Sequence, residues 1–402
     1  MSVRKRQWTT AKGEFKSAWV VDYKDQVGKR RMKSFRLKKE ADAYAQTVGV
    51  EVRTGVHVAD ADTVTVAEAG KHWIRACEAA GLETTTIAQY KQHLNLHIVP
   101  FLGATKINKL TIPVVRAFQD ELRENDRSPA MVKRVTVSLG SILGNAQEQG
   151  LVVRNAVHEM KSRRKASTAA EKRQKARLRY GVDIPTMDEI RSIISAAEGR
   201  YRPLLIVAIF TGLRASELRG LTWADLDLDK GRLHVRQRAD ARNSIGMPKS
   251  EAGQRTVPLP PMVVSELQQW KSVCPKGKLG LVFPNGEGNV EYHGNIINRG
   301  LHPTLMAAGV IAETDKVDAD GQPVLVPKYT GMHALRHWFA SWCINSKADG
   351  GQELAPKAVQ ARMGHSSIQV TFDTYGHLFP ATDETEALAV AEKALFLNAV
   401  GG

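Results

Sequence analysis

Residues 211–218 read TGLRASEL, and residues 329–337 read YTGMHALRH. Two shorter motifs follow, MGHSS at 363–367 and TYGH at 374–377. Together they hold two arginines, several histidines and two tyrosines, and they thus include the residue types needed for attack on a phosphodiester without a metal ion. Negative charge builds on the non-bridging oxygens during such an attack, and planar guanidinium groups bind those oxygens bidentately.

The motifs predict a role for each of these side chains. Arg214 and Arg336 can stabilise the transition state in place of a metal ion. A tyrosine hydroxyl has a pKa near about 10, so Tyr375 needs cationic neighbours and a hydrogen-bond acceptor before it can attack phosphorus. His333 and His365 can supply both.

At these residues the sequence resembles the tyrosine recombinase family, the phage integrases. The family pattern is an arginine in TGLRxSEL, an HxxR pair, a later GH and a nucleophile in a TxxxYxH context, and all of it is present here in order. The resemblance implies that Arg214, His333, Arg336 and His365 bind the phosphate and handle protons. It implies that Tyr375 is the nucleophile.

Two further residues match the family. A lysine on a β-hairpin turn is expected to protonate the departing 5′ oxygen, and the run MPKSEAGQRTVPL at 247–259 fits, since a lysine precedes a glycine turn and an alternating strand. Lys249 is therefore the expected general acid. Glu217, one helical turn after Arg214, matches an acidic position expected to support the active site without touching DNA.

Other side chains near these motifs have simpler interpretations. His337 and His377 are interpreted as structural histidines, and Trp338 as part of a core-facing stripe. A histidine pair at 333 and 337 has the i, i+4 spacing of a zinc site, but Ala334 stands where a zinc hydrolase would need a glutamate. The sequence therefore predicts no metal and no other cofactor.

Composition favours a nucleic-acid partner independently of the motifs. The chain has 57 Lys and Arg against 42 Asp and Glu, a net charge of +15, so a polyanion such as double-stranded DNA is the natural ligand. Its 3 cysteines are scattered with no CxxC pair, which fits a reducing cytoplasm. There is no apolar run long enough for a transmembrane helix, so we expect a soluble cytoplasmic protein without a membrane partner, and the resemblance implies a bacterial host.

The length of the chain and the positions of its turn-forming residues and composition changes predict a multidomain fold, mainly α with small β-sheets. The expected parts are a sheet-plus-helix module at 1–60, a helical domain at 63–160, a basic linker at 161–182 and an α+β catalytic domain at 183–402. By the resemblance, the first is similar to an arm-type DNA-binding domain and the second to the core-binding, SAM-like domain. The fourth would be the tyrosine recombinase catalytic domain.

Cations of the first module and of the linker are candidates for DNA contact. In the module, strands are expected at Phe15–Tyr23 and Arg31–Leu37, with a helix from Lys38 to about Gly49. The alternatives are a solubilising edge strand and a solvated linker helix. The candidate DNA-binding residues are Lys29, Arg30, Arg31, Lys33, Arg36, Arg163, Arg164 and Lys165.

Further elements are expected around the motifs. One helical stretch from Pro203 to Leu221 would bear both Arg214 and Glu217. An acidic insertion before the HxxR helix predicts a hairpin turn at 320–321. An amphipathic helix is expected at 383–398, and the sequence leaves open whether it packs on its own chain or, as the resemblance implies, on a neighbouring protomer.

The resemblance implies site-specific DNA recombination through a 3′-phosphotyrosyl intermediate, integrating or excising a phage or other mobile element, with no ATP. A homotetramer on two duplexes would act at core and arm-type sites, with a host DNA-bending protein and an excision factor as further partners. Two alternatives stay open: a type IB topoisomerase-like activity, and a DNA-binding regulator with an inactive site.

Overall fold

The chain forms two compact units, Met1–Lys165 and Ala166–Gly402, in a computed structural model. The structure describes residues 1–11, 13–25, 28–55, 57–59, 62–160, 177–248, 250–379, 388–389 and 392–394. Within these ranges no helix has the length and apolar character needed to span a membrane.

Some of the predicted features lie outside the described residues. These are Lys249, the linker cations Arg163, Arg164 and Lys165, and most of the amphipathic helix expected at 383–398.

The first unit opens with an antiparallel sheet in the order β1-β2-β3, followed by a helix. The elements are β1 (Ser2–Thr9), β2 (Phe15–Lys24), β3 (Arg30–Phe35) and α1 (Lys38–Arg53). Val21 and Tyr23 on one face of β2 pack against Ala41 and Val48 of α1. The predicted sheet and helix are present, but β1 was missed, because its charged run Arg4-Lys-Arg6 lacks the apolar alternation that reveals a strand.

A buried hydrogen-bonded chain fixes the segment that follows α1. His57 Nε2 lies 2.8 Å from the hydroxyl of Tyr23, and its Nδ1 lies 2.8 Å from Glu51 Oε2. This histidine therefore joins the segment to both the sheet and the helix.

The rest of the first unit is a helical bundle around its own apolar core. Its elements are α2 (Val66–Ala79), α3 (Thr84–His93), a π-helical turn (Leu94–Ile98), α4 (Val99–Leu102), a 3₁₀ turn (Ile107–Lys109), α5 (Ile112–Glu124), α6 (Pro129–Glu148) and α7 (Ala156–Glu159). A capping box opens α2, since Thr65 Oγ1 accepts from Glu68 N and Glu68 accepts from Thr65 N. Pro100 stands in the first turn of α4, where a missing N–H costs little.

The second unit packs helices around a central, almost wholly buried helix, α9. Its helices are α8 (Met187–Ala196), α9 (Arg202–Thr211), α10 (Ala215–Gly220), α11 (Pro261–Val273), α12 (His293–Asn295), α13 (His302–Ala307), α14 (His333–Ile344), α15 (Pro356–Met363) and α16 (Ile368–Tyr375), with a π-helical turn at Ile296–Leu301 and 3₁₀ turns at Gly199–Tyr201, Trp223–Asp225, Glu251–Gly253 and Gly376–Leu378. Its strands are β4 (Leu226–Asp227), β5 (Arg232–Val235), β6 (Arg238–Ala239), β7 (Ile245–Gly246), β8 (Arg255–Pro258), β9 (Ile311–Val317) and β10 (Pro323–Pro327).

Small antiparallel sheets complete this unit. One has the order β4-β5-β8, and the pairs β6–β7 and β9–β10 form hairpins. The hairpin expected near residue 320 is confirmed, since Asp318 N donates to the carbonyl of Gln322 at 2.9 Å across the turn.

Candidate active site

A break between two helices places Arg214. The sequence predicted one helical stretch from Pro203 to Leu221, and this is wrong: α9 ends at Thr211 and Gly212 follows with φ 61°. A Cβ on Gly212 would also lie 2.2 Å from Cδ1 of Phe339 in α14. The chain then turns, so that Arg214 is the N-cap residue of α10.

Glu217 is buried and binds two arginines. Arg214 Nη1 donates to its Oε1 at 2.8 Å, and Arg255 Nη2 donates to its Oε2 at 2.8 Å. Burial alone would raise the pKa of this carboxyl, but Arg255 and Arg214 outweigh burial and lower the pKa to about 2. The carboxylate is therefore ionised at neutral pH and holds Arg214 in place.

Arg255 was not singled out as a site residue by the sequence analysis. Its side chain is 5% exposed, and its Nε donates to the carbonyl of Arg362 at 2.7 Å. It thus joins strand β8 to α15 as well as to Glu217. The sequence did not reveal this role, because the partners of Arg255, Glu217 and the carbonyl of Arg362, lie far away in the chain.

Arg336 lies in the first turns of α14 and is buried. Its guanidinium donates to the carbonyls of Gly212 and Met363, the latter at 2.6 Å. Burial and the neighbouring charge of Arg214 lower the pKa of Arg336 to about 9. It therefore remains protonated at neutral pH, and two cations from separate elements meet at this site.

His365 follows the left-handed C-cap residue Gly364, whose φ is 62°. The histidine is buried, and its Nδ1 lies 2.9 Å from the hydroxyl of Thr371 in α16. Burial, together with Arg336 and other nearby cations, lowers the pKa of His365 to about 4. The imidazole is therefore neutral at physiological pH.

Tyr375 is the last residue of α16, and its side chain is buried. Its ring stacks parallel to that of His365, with centroids 6.1 Å apart. Its hydroxyl lies 2.8 Å from Nδ1 of His337, the histidine that the sequence analysis interpreted as structural. Burial raises the pKa of Tyr375 to about 12, although Arg336 opposes the shift.

His333 is exposed at the start of α14, and its ring centroid lies 5.3 Å from that of His337. Desolvation and the charges of Arg336 and Arg214 lower its pKa. The structure therefore brings His333, Arg214, Arg336, His365 and Tyr375 together. In the described part of the chain, no group of three or more His, Cys, Asp or Glu side chains could hold a metal ion.

The hairpin that precedes residue 249 is anchored by a buried arginine that the sequence analysis did not identify. Arg219 lies on α10, and its Nη1 donates to the carbonyl of Asp240 at 2.9 Å. Its Nε donates to the carbonyl of Glu291 at 2.7 Å. The helix that Arg214 caps is thus tied to the β6–β7 hairpin, a few residues before Lys249.

The predicted DNA-binding cations of the first module fall on different faces. Arg31 is paired with Asp25 and Asp62, and Lys33 Nζ lies 4.5 Å from the ring centroid of Tyr44 on α1. Both therefore belong to the side of the sheet that carries α1. Lys29, Arg30 and Arg36 are exposed.

The opposite face of this sheet carries exposed cations, two of which, Arg4 and Arg30, are paired with Asp22 on the same face. Strand register places Arg4 and Arg6 of β1 on one face with Lys16 of β2 and Arg30 of β3, and all of them are exposed. We call these four residues the basic face. Trp8 lies on the same side and is 40% exposed.

Comparison with known proteins shows which family the chain resembles. Residues 185–382 match the profile of the phage integrase family, and residues 65–123 match that of the phage integrase N-terminal SAM-like domain. The chain is 25% identical over 386 residues to a "Tyrosine recombinase XerC-like" protein of Caldanaerobacter subterraneus subsp. tengcongensis, covering 91% of this chain and 93% of the relative.

Solved structures share the fold. An integrase of the Tn1549 transposon in complex with a circular intermediate DNA aligns with a TM-score of 0.59 at 19% identity, over 83% of this chain and all of that one. A lambda integrase tetramer bound to a Holliday junction aligns with a TM-score of 0.52 at 16% identity, over 90% of this chain and 95% of that one. The chain belongs to the phage integrase family of tyrosine recombinases, enzymes that cleave and rejoin DNA.

Proposed function

We propose that Tyr375 is the nucleophile of this site-specific recombinase and forms the 3′-phosphotyrosyl link with DNA. The observation that supports this most directly is the position of its hydroxyl, on a helix end beside Arg336 and His337. A phenol with a pKa raised to about 12 is a poor nucleophile in the free chain. Arg336 and Arg214 would bind the scissile phosphate and offset its negative charge, which makes phosphorus easier for the phenol to attack.

Each partner of Tyr375 has a role in this proposal. Arg214 and Arg336 bind the non-bridging oxygens and stabilise the charge that develops on them. His333 and His365 donate hydrogen bonds to the same phosphate. The bond between Oη and phosphorus forms while the bond from phosphorus to the 5′ oxygen breaks, and Lys249 protonates that oxygen. The link conserves the energy of the phosphodiester, so rejoining needs no ATP.

The supporting residues hold these groups in position. Glu217 orients Arg214, and Arg255 keeps Glu217 ionised. Arg219 anchors the hairpin that leads to Lys249. These side chains position the site and are not expected to touch DNA.

We infer that double-stranded DNA binds at core-type sites through the second unit and the helical bundle, and at arm-type sites through the basic face. Exposed cations on one side of a small sheet suit contact with phosphates along a groove. Four protomers would act on two duplexes through a Holliday junction, in keeping with the lambda integrase tetramer captured on such a junction. The substrate would be the ends of an integrative element inside a bacterial cell, with a DNA-bending protein and an excision factor setting direction.

A covalent adduct tests this proposal. The chain is incubated in EDTA with a nicked duplex carrying the attachment sequence from the border of its own element, so that the cleaved flank diffuses away. We expect an adduct on a denaturing gel that disappears in Tyr375→Phe. The matched control is Tyr329→Phe, because Tyr329 is a buried tyrosine of the same unit whose hydroxyl bonds Glu189 instead. An adduct that persists in Tyr375→Phe would contradict the proposal.

A further inference from the structure

The hydroxyl of Tyr375 has a partner to which the sequence analysis gave no part in the reaction. His337 Nδ1 lies 2.8 Å from Tyr375 Oη, and the two rings meet edge to face with centroids 5.8 Å apart. His337 belongs to α14 and Tyr375 ends α16. A ring nitrogen from one helix is therefore held against the reacting atom of another.

The other histidines near Tyr375 are arranged differently. The ring of His365 is within 10° of parallel to that of Tyr375, so it offers its face, and its Nδ1 bonds Thr371. His333 contacts the ring of His337 instead of the phenol. Among the hydrogen bonds of the described residues, the one made by the Tyr375 hydroxyl is with Nδ1 of His337.

The protonation states of the free site set the direction of the hydrogen bond. Burial lowers the pKa of His337 to about 4, His333 and Arg336 add to the effect, and Asp183 opposes it. The phenol of Tyr375 is protonated, because its pKa is raised to about 12. The hydroxyl can then donate to a neutral imidazole protonated on Nε2. A bound phosphate beside Arg336 adds negative charge, which favours the imidazolium form that the free site disfavours.

We propose that His337 is the general base for Tyr375, taking the hydroxyl proton on Nδ1 as Oη attacks phosphorus. This inference rests on the proposed function of Tyr375. In cleavage, the Oη–H bond breaks, the Oη–P bond forms, and the 5′ oxygen leaves with a proton from a separate acid. In rejoining, the 5′-hydroxyl attacks phosphorus and gives its proton back to that acid, while the phosphorus–Oη bond breaks and His337 returns its proton to the departing phenolate.

The variant His337→Asn separates holding the hydroxyl from accepting its proton. An asparagine amide oxygen can accept the same hydrogen bond but cannot take up a proton at neutral pH. We expect adduct formation in single turnover to slow by about 100-fold or more, with the melting temperature and the affinity for the duplex unchanged. The matched control is His234→Gln, since His234 lies on β5 with its Nδ1 bonded to Thr256, and it should cleave at the wild-type rate.

A second substrate distinguishes the base from the acid. When sulfur replaces the bridging 5′ oxygen, the leaving thiolate needs no proton, so variants of the general acid recover their rate. We expect Lys249→Ala to recover on this duplex and His337→Asn to remain slow. The wild-type rate should also rise with pH through one ionisation that His337→Asn lacks.

The outcomes are distinct. The inference is supported if the wild-type chain forms an adduct, Tyr375→Phe forms none, and His337→Asn cleaves both duplexes slowly. Wild-type cleavage by His337→Asn on the oxygen duplex overturns it and leaves the proposed function intact, as does recovery of His337→Asn on the sulfur duplex. Failure of the wild-type chain to form any adduct overturns both.

Discussion

A single buried carboxylate, Glu217, joins three parts of the candidate active site. It is the third helical residue of α10, it receives hydrogen bonds from Arg214 at the start of that helix, and it receives two more from Arg255 of β8. A buried pair is costly to break from one side, because the remaining charge is left without its partner. The stability of the site therefore depends on Arg255 as well as on the residues expected to touch DNA.

Replacing Arg255 with methionine should destabilise the second unit. We expect a loss of about 3 kcal/mol or more, because Glu217 keeps its charge and loses its buried partner. Scanning calorimetry of the full chain measures the transition of this unit. The double variant Arg255→Met, Glu217→Gln should recover part of the loss, since no carboxylate is then left unpaired.

A surface pair provides the control for this prediction. Arg191 bonds Asp188 at 2.8 Å, but both side chains are largely exposed, so Arg191→Met should cost less than about 1 kcal/mol. Equal costs for Arg191→Met and Arg255→Met would contradict the role given to Arg255.

The neutral histidines of the site predict a pH dependence of stability. The pKa values of His337 and His365 are lowered to about 4 in the folded chain. An unfolded histidine has a pKa near about 6.5, so the unfolded chain binds more protons between these values. The free energy of unfolding should therefore be highest above about pH 6.5 and fall as the pH decreases towards about 4.

Melting temperatures of the second unit across this range test that expectation. The variant His337→Asn, His365→Asn should show a flatter profile than the wild type. Glu217 acts in a different window, because its pKa of about 2 lies below the ordinary 4.5, so its contribution is lost only as the pH falls from about 4.5 towards 2. A wild-type profile that is flat between neutral pH and about pH 4.5 would rule out the histidine contribution.

At the residue scale, the sequence identified candidates for the site but not the contacts that surround them. Arg214, Arg336 and Tyr375 stand in short motifs, so pattern alone identifies them as candidates. Arg255 and His337 were not assigned to the site, because their importance comes from contacts with residues far away in the chain, Glu217 and Tyr375. The spacing of residues within a motif cannot predict contacts between distant parts of the chain.

At the scale of elements, the junction between α9 and α10 determines where Arg214 lies. Gly212 has the left-handed φ of 61° and packs directly on Phe339 of α14. Its carbonyl also accepts from Arg336. The same turn thus positions both arginines.

The substitution Gly212→Ala should disturb this junction strongly. The added Cβ would lie 2.2 Å from the Phe339 ring, so α14 or the turn must move. We expect adduct formation to fall by about 100-fold, as a displacement near 1 Å can cost, with a smaller loss of DNA affinity. Single-turnover cleavage and binding to the same duplex measure the two effects.

Gly309→Ala is the matched control. Gly309 also has a left-handed φ, 68°, but a Cβ there would meet no atom within 4 Å. Its cost should be limited to backbone strain of about 1 kcal/mol, with cleavage unchanged. A similar loss of cleavage in both variants would assign the effect to strain and not to the contact with Phe339.

Helices with capping signals were predictable from sequence, and breaks inside apolar runs were not. Capping boxes begin α2 at Thr65 and α8 at Thr186, and both can be read from the sequence. The apolar pattern from 203 to 221 continues through Gly212, so only the packing of Phe339 reveals the turn. Strand β1 was missed for the opposite reason, because its side chains on both faces are largely polar.

At the scale of the whole molecule, the net charge of +15 is distributed in ways that composition cannot show. In the second unit, Arg214, Arg255 and Arg336 converge on one site and one buried carboxylate. In the first unit, exposed cations line one side of the sheet. Charge counting predicted a polyanionic ligand, whereas the strand register is needed to say which cations act together.

The basic face predicts a measurable contribution to DNA binding. The variant Arg4→Glu, Arg6→Glu reverses two neighbouring charges on that face. The control is Lys5→Glu, because Lys5 lies between them in sequence but pairs with Trp19 and points to the other side of the sheet. We expect the double variant to bind a duplex from the border of the element more weakly. The slope of log affinity against log salt should become shallower by about 0.9 for each phosphate that the protein no longer neutralises. Lys5→Glu should leave that slope nearly unchanged, because its side chain does not share the face. Equal changes per reversed charge in the two variants would mean that net charge, and not the basic face, governs binding by this unit.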